Sequence, residues 1–400
     1  MRLVRLWVGD YRNYESAELE PAPEGLTVIE GANGDGKTNL LEAIGYLATL
    51  SSFRGAPADA LIRHGADRGV VRAEVEREGR SVLLEVELHA GGRHRMMMNR
   101  QPVRRARDLL GALRVSVFSP DDLSLVKGGP AERRHYLDEV LVALRPANEA
   151  LRADVERILR QRNALLKQAG LKHAGWKRSG NQLSPDVAST LDVWDAKLTE
   201  AGEALAVARE DLVVALEPQV TMAYGQLAAG RGDVTLAYQR SWRGPLSHAL
   251  AAVRDDDLRR ASTTVGPHRD ELSLAIAGGG RDVPVPLPAR THASQGEQRS
   301  LALALRLGAH ALVAESTGSS PVLLLDDVFS ELDAARGAAL LSSLPVGQTL
   351  LTTAGPAPAG ASPTRTVHVR AGQVRSDHVE TGHVGAGQVE AGHVGAGTLR

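Results

Sequence analysis

Eight consecutive residues, Gly31-Ala32-Asn33-Gly34-Asp35-Gly36-Lys37-Thr38, match the pattern G-x-x-x-x-G-K-[ST]. The chemistry of that spacing is phosphate binding. Glycines let the backbone turn where a Cβ would block it, and the turn aims N–H groups at an anion. Lys37 is placed to reach the β- and γ-phosphates of a nucleoside triphosphate, and Thr38 to hold Mg²⁺. From Asn39 an apolar helical pattern runs to Ala48, and its N-terminus would face the same anion. Leu26–Glu30, just before the glycines, reads as a short buried strand.

A metal-bound triphosphate also needs carboxylates. Val322–Leu325 is a fully apolar run that ends in Asp326-Asp327. Asp326 suits the metal side, and Asp327 suits the polarisation of an attacking water. Lys37, Asp326 and Asp327 are thus the catalytic candidates, with Thr38 and Asp326 at the metal. About 30 residues earlier, Ser294-Gln295-Gly296-Glu297-Gln298 opens an apolar helix. Ser-x-Gly-x-Gln at a helix start is the signature of ABC-type ATPases. A hydroxyl, a glycine N–H and a helix N-terminus together suit a γ-phosphate. In that class the signature serves the nucleotide of a second protomer, so ATP and Mg²⁺ would be held in a site that a dimer completes.

The elements that must position these groups follow from patterning. Leu3–Val8 and Leu26–Glu30 are strand candidates. Val70–Glu76 and Ser81–His89 alternate apolar and polar residues around Glu78-Gly79-Arg80, a hairpin pattern. Arg114–Phe118 is another strand. Two long helical segments span roughly 131–169 and 187–229, with a Gly-, Ser-, Lys- and Arg-rich hairpin tip at 170–185. The second carries a heptad seam at Leu191, Trp194, Leu198, Ala201, Leu205, Ala208, Leu212 and Ala215. Either a helical subdomain with its own core or a projecting arm fits it. Strands resume at Val234–Tyr238 and Leu272–Ala277, and a helix spans 295–314. From Ala371 the chain repeats six pentads with Val or Leu every fifth residue, a period that suits neither a helix face nor a strand face. The expected divisions are a head lobe at 1–130, a helical arm or lid at 131–230, a second head lobe at 231–360 and a disordered tail at 361–400.

Composition narrows the classes. The absence of cysteine excludes disulfides and thiolate metal sites. No run approaches the roughly 18 apolar residues of a membrane helix, and no cleavable leader pattern opens the chain. The expectation is a cytoplasmic protein without a membrane partner. A net charge of −1 requires any nucleic-acid surface to be a local patch.

Further blocks, in order along the chain, resemble the RecF family of bacterial recombination-repair ATPases, relatives of SMC-type ABC ATPases. They include Tyr11-Arg12-Asn13-Tyr14, Ser52-Phe53-Arg54, Phe118 to Leu123, Val126 to Pro130 with Arg133-Arg134, Gln161-Arg162-Asn163, Gly266 to Asp270, and Leu325 to Asp333. The likeness covers roughly residues 1–355. It implies an α/β fold: an ABC/SMC-type ATPase head with a helical, coiled-coil-like arm. It implies a weak DNA-dependent ATPase that forms an ATP-driven dimer clamp on single-stranded, gapped or double-stranded DNA. Recombination mediator proteins would be partners, with roles in recombinase loading, replication-gap processing and SOS induction. The pentad tail departs from the family pattern. The Phe118–Asp122 block stands where a Q-loop glutamine is sought, and Leu350–Thr353 offers no switch histidine. Asp327 stands where many ABC ATPases carry Glu, which implies slow hydrolysis.

Two basic stretches without an acid are candidate DNA contacts. One holds Arg157, Arg160, Arg162, Lys167, Lys172, Lys177 and Arg178, and the other Arg93, Arg95, Arg100, Arg104, Arg105 and Arg107. Neither contains a base-reading motif, so backbone or structure recognition is expected. The rival readings are an ABC-type nuclease and a nucleotide-gated scaffold without turnover. The first lacks sequence for a nuclease domain after Asp333. Intact Lys37, Thr38, Asp326 and Asp327 weigh against the second.

Overall fold

The computed structural model describes residues 1–172, 185–228, 233–278 and 285–377. A six-stranded sheet in the order β15-β14-β3-β13-β12-β8 carries the phosphate loop. Its strands are β3 (Gly25–Glu30), β8 (Val115–Phe118), β12 (Val322–Asp326), β13 (Gln348–Thr353), β14 (Arg365–Arg370) and β15 (Gln373–Asp377). All neighbours pair in parallel except β14 with β15. The apolar runs of β3, β12 and β13 fit strands covered on both faces. Alternate residues feed two separate cores. Ile29, Val322, Leu324 and Leu350 enter one, and Val28, Leu323, Leu325 and Leu351 the other.

The first core lies under α1 (Lys37–Thr49) and an entirely antiparallel sheet, β2-β1-β4-β5-β6-β7. Its strands are β1 (Arg2–Tyr11), β2 (Tyr14–Leu19), β4 (Arg68–Arg77), β5 (Arg80–His89), β6 (Arg95–Met98) and β7 (Gln101–Pro102). Glu78 and Gly79 turn the β4–β5 hairpin with φ of 52° and 73°. Both angles are positive, as a two-residue turn that matches strand twist requires.

The second core is helical. It joins α2 (Ser124–Lys127), α3 (Pro130–Leu144), α4 (Glu149–Lys172), α5 (Pro185–Leu227), α6 (Leu246–Ala252), α8 (Ala289–His292) and α9 (Gln295–Thr317) to a small sheet, β11-β10-β9. Those strands are β9 (Val234–Gln239), β10 (Glu271–Gly278) and β11 (Val285–Pro288). Two short helices, α7 (Arg254–Arg260) and α10 (Ala334–Ser342), complete the described α-helices.

Three expectations are corrected. The helix expected at 131–169 is two helices, because Pro146 has no N–H to donate and pushes Arg145 into extended conformation (φ −140°, ψ 105°). In α5, Leu191, Leu198, Leu205 and Leu212 are buried as the heptad requires. The alternate positions are offset by one: Asp195, Gly202, Arg209 and Leu216 are buried, whereas Ala215 is exposed. The offset arises because α5 packs on α3, α4, α6 and α9 together, not on one partner. Gly202 permits this, since a Cβ there would lie 2.9 Å from Leu246. Finally, the tail expected from 361 begins with β14 and β15, which extend the nucleotide-loop sheet. Residues 378–400 lie outside the described residues.

Candidate nucleotide site

The phosphate loop bridges β3 and α1. Gly36 caps the helix at φ 113°, and a Cβ there would lie 2.6–2.7 Å from the Asn13 side chain and the Tyr14 hydroxyl. A Cβ on Gly31 would lie 2.3 Å from the Val369 carbonyl oxygen of β14, so backbone presses on backbone. Asp35 ties the loop at both ends. Its carboxylate accepts from Ala32 N at 2.9 Å and from Ala371 N at 3.1 Å. Asn13 Nδ2 donates to the Asp35 carbonyl at 3.0 Å, and Asn39 Nδ2 donates to Asn13 Oδ1 at 2.8 Å. Ala32, Asn33 and Gly34 remain exposed at the mouth.

Lys37 folds back over its own loop. Its ammonium donates to the Gly31 and Ala32 carbonyls at 2.8 and 2.9 Å. Thr38 Oγ1 donates to Asp326 Oδ1 at 2.8 Å across 288 residues of chain, and Thr352 Oγ1 donates to the same oxygen at 2.8 Å. Thr352 Oγ1 in turn accepts from Asp327 N at 2.9 Å. Burial raises the Asp326 carboxyl above its ordinary range, against the two threonine hydroxyls that favour the charged form. Asp327 sits in left-handed backbone, φ 48° and ψ 29°, which places it off the strand axis as the chain leaves β12. Its carboxylate makes no hydrogen bond or ion pair among the described residues. Hard oxygen donors at Thr38 and Asp326 that already converge fit Mg²⁺.

Two further blocks of the sequence buttress this loop. Arg12 makes a two-point ion pair with buried Glu42 of α1, at 2.7 and 2.6 Å, and Ser52 Oγ donates to the same carboxylate at 2.5 Å. The Phe118–Asp122 block does lie at the end of β8, beside β12. It supplies no glutamine. Asp122 accepts there from Arg306 of α9 at 2.9 and 2.7 Å, so the turn is tied to the signature helix.

The signature residues divide. Ser294 and Gln295 are exposed at the start of α9. Ser294 and Glu297 form a capping box: Ser294 Oγ accepts from Glu297 N at 3.3 Å, and Glu297 accepts from Ser294 N at 2.7 Å. Gln298 is corrected as a nucleotide contact. It is buried, and its amide donates to the Ala289 and Arg290 carbonyls of α8. It supports the turn that presents Ser294.

Arg162 is also corrected as a DNA contact. It is fully buried, donating to Asp195 at 2.6 Å, Asp257 at 2.7 Å and Thr263 at 2.9 Å. Its neighbour Asn163 accepts from Thr263 N and Oγ1. Arg209 makes a two-point pair with Asp138 at 2.8 Å and donates to the Pro267 carbonyl. The Gln161–Asn163 and Gly266–Asp270 blocks are thus parts of one helical scaffold. Of the same basic stretch, Arg157 pairs with Asp154 at 2.8 Å and Arg160 reaches Glu156 at 3.9 Å. Lys167 is exposed, Lys172 ends α4, and Lys177 and Arg178 lie outside the described residues. The other stretch is different. Arg93, Arg95, Arg100, Arg104, Arg105 and Arg107 are all exposed, and only Arg95 has an ion pair among the described residues, with Glu87 at 3.6 Å.

With this geometry in place, likeness to known proteins becomes informative. The RecF/RecN/SMC N-terminal domain family matches residues 2–349. The DNA replication and repair protein RecF of Streptomyces avermitilis is 44% identical over 364 residues, covering 88% of this chain and 93% of the relative. The chain belongs to the RecF family. The solved structure of the recombination mediator protein RecF-ATPrS of the RecFOR pathway superposes with a TM-score of 0.81 at 27% identity, covering 94% of this chain and 98% of that one. An SMC head bound to the C-terminal winged-helix domain of ScpA matches at a TM-score of 0.56 and 16% identity, with 95% and 98% coverage, a likeness of fold alone. The RecF-family fold is therefore an ABC-type ATPase head with a long helical arm, as expected. No helix among the described residues is long and apolar enough to cross a membrane.

Proposed function

We propose that this RecF-family chain is a DNA-stimulated ATPase of recombinational repair and replication-gap processing that closes as a dimer on DNA when ATP binds. The observation that carries it is the convergence of Lys37, Thr38, Asp326 and Asp327 around one loop, with Ser294 and Gln295 exposed at a separate helix start. The ATP-bound RecF relative supports the ligand. In this reading Lys37 gives up its two carbonyl partners for the phosphates. Thr38 and Asp326 would hold Mg²⁺, which neutralises charge on the phosphate oxygens. Asp327 holds the water that attacks. Ser294, Gln295 and the Gly296 N–H of a second copy complete the site, so dimer closure depends on the triphosphate. Hydrolysis reopens it.

DNA would lie along the exposed Arg93–Arg107 stretch. Apart from Arg95, its cations have no ion pair among the described residues, whereas Arg157 and Arg160 already face acids on their own helix. Recombination mediators as partners, recombinase loading, SOS induction and a cytoplasmic setting are part of this proposal, which family membership supports. Sedimentation with ATP and with an unhydrolysed analogue tests it. The wild-type chain dimerises with either and dissociates as ATP is spent, and Lys37→Met does neither. If Lys37→Met dimerises and dissociates like wild type, the reading fails. Phosphate release on gapped, single-stranded and double-stranded DNA then ranks the DNA forms.

A further inference from the structure

The signature helix is held at its start by two arginines. We infer that one of them, Arg336 of α10, is a positioning residue that sets the signature for the nucleotide of a second copy. This rests on the shared-site reading above. Gly296 has no side chain, and the Arg336 guanidinium fills the space. A Cβ on Gly296 would lie 2.5 Å from Nη2, 2.8 Å from Cζ and 2.9 Å from Nη1, so the whole planar group lies against the signature backbone. Arg336 Nε donates to Ser300 Oγ, one turn along α9, at 3.2 Å. Nη1 pairs with Asp333, whose other oxygen caps α10 by accepting Arg336 N at 2.8 Å. Nearby, Arg299 donates to the Glu331 carbonyl at 2.8 Å and pairs with its carboxylate.

The consequence is a cross-tied surface. Residues 294–300 and 331–336 are joined at two points, and Ser294, Ser330, Glu331 and Asp333 are exposed on it. The segment leaving Asp327 and the signature therefore move together. The placement of Arg336 is informative in its own right. A cation beside a helix N-terminus opposes the helix dipole. Here the Asp333 pair and the Ser300 hydrogen bond hold the guanidinium against that opposition, and its charge suits a surface that meets a phosphate. Arginine also suits the task through its flat, rigid fork, which a lysine lacks.

The test uses the full chain and mixes variants. Arg336→Ala is expected to lower ATP turnover about tenfold, the scale of one charge-assisted hydrogen bond. Affinity of its own phosphate loop for a fluorescent ATP analogue stays within about twofold of wild type, because Lys37 and Thr38 are untouched. Arg336→Lys restores turnover only in part. Mixed with Asp327→Asn, which binds ATP and dimerises but cannot hold the attacking water, Arg336→Ala recovers about one quarter of wild-type turnover, because half the dimers are mixed and each has one intact site. Gly296→Ala displaces the guanidinium without removing it. It reproduces the Arg336→Ala defect, and the double variant is no worse than either single one.

Ser294→Arg mixed with Asp327→Asn is the control for the shared site. If that mixture recovers activity and the Arg336→Ala mixture does not, the role of Arg336 is overturned and the shared site stands. If neither recovers, the shared site itself is overturned, and Arg336 with it. Wild-type turnover in Arg336→Ala, or additive losses in the Gly296→Ala double variant, also overturns the inference.

Discussion

Thr352→Val is the sharpest probe of the Asp326 carboxylate. The substitution keeps shape and deletes one hydroxyl. That hydroxyl donates to Asp326 Oδ1 and accepts from Asp327 N. A hydrogen bond to a carboxylate contributes about 1.5–3 kcal/mol, and a neutral one about 0.5–1.5, so the expected loss near neutral pH is about 2–4 kcal/mol. The pH dependence has a definite sign. Burial holds the Asp326 carboxyl above its unfolded value, so the folded chain binds that proton more readily. Its stability contribution is present at low pH and is lost as pH rises through the raised folded value. Removing a donor that favours the charged form raises that value further. Thr352→Val therefore costs more near neutral pH than below about pH 3, where Asp326 is protonated in both states. Urea unfolding at the two pH values measures the difference, and ATP turnover falls alongside because Asp327 loses its backbone anchor. A loss under about 0.5 kcal/mol, or one equal at both pH values, refutes the reasoning.

Three other outcomes follow from the same geometry. Arg162→Met leaves buried Asp257 without its cation and costs about 3–5 kcal/mol in urea unfolding, with no change in the salt slope of DNA binding at temperatures where it stays folded. Replacing Arg104, Arg105 and Arg107 by Gln lowers the slope of log affinity against log salt by about one for each phosphate left unneutralised, measured by anisotropy on labelled DNA. The same change at Arg157 and Arg160 leaves the slope unchanged. His310 lies buried between the Ser116 and Ser320 hydroxyls, and burial pushes its pKa down to about 4 from 6.5. It contributes stability above its unfolded value that is lost as pH falls toward about 4, up to about 3 kcal/mol, and His310→Gln flattens that part of the profile.

The nucleotide loop and its carboxylate strand were legible because each is a local pattern with one geometric solution. Gly31–Thr38 needs its glycines, and Val322–Asp326 can only be a covered strand with acids at its end. What escaped reading depends on partners distant in sequence. Nothing in Gln161-Arg162-Asn163 says that Asp195 and Asp257 will surround the arginine, so a basic stretch without local acids resembled a DNA surface. The α5 seam was offset because buried Asp195 and Arg209 break the apolar rule once their charges are paired. Arg365–Arg370 does carry a strand signal, with Val367 and Val369 buried between exposed His368 and Arg370. The five-residue period that follows conceals it. Arg336 had no signal at all, since its meaning lies in its contact with Gly296.

The β14–β15 turn has a consequence for how the chain is made. Asp35 waits for the N–H of Ala371, and Gly31 is walled by Val369. The first motif to leave the ribosome is therefore among the last to be finished. At about 5–20 residues per second, translation separates the two by some tens of seconds. During that interval β3 lacks both parallel neighbours, β13 and β14. A nascent chain therefore cannot complete this loop before nearly all of its head exists.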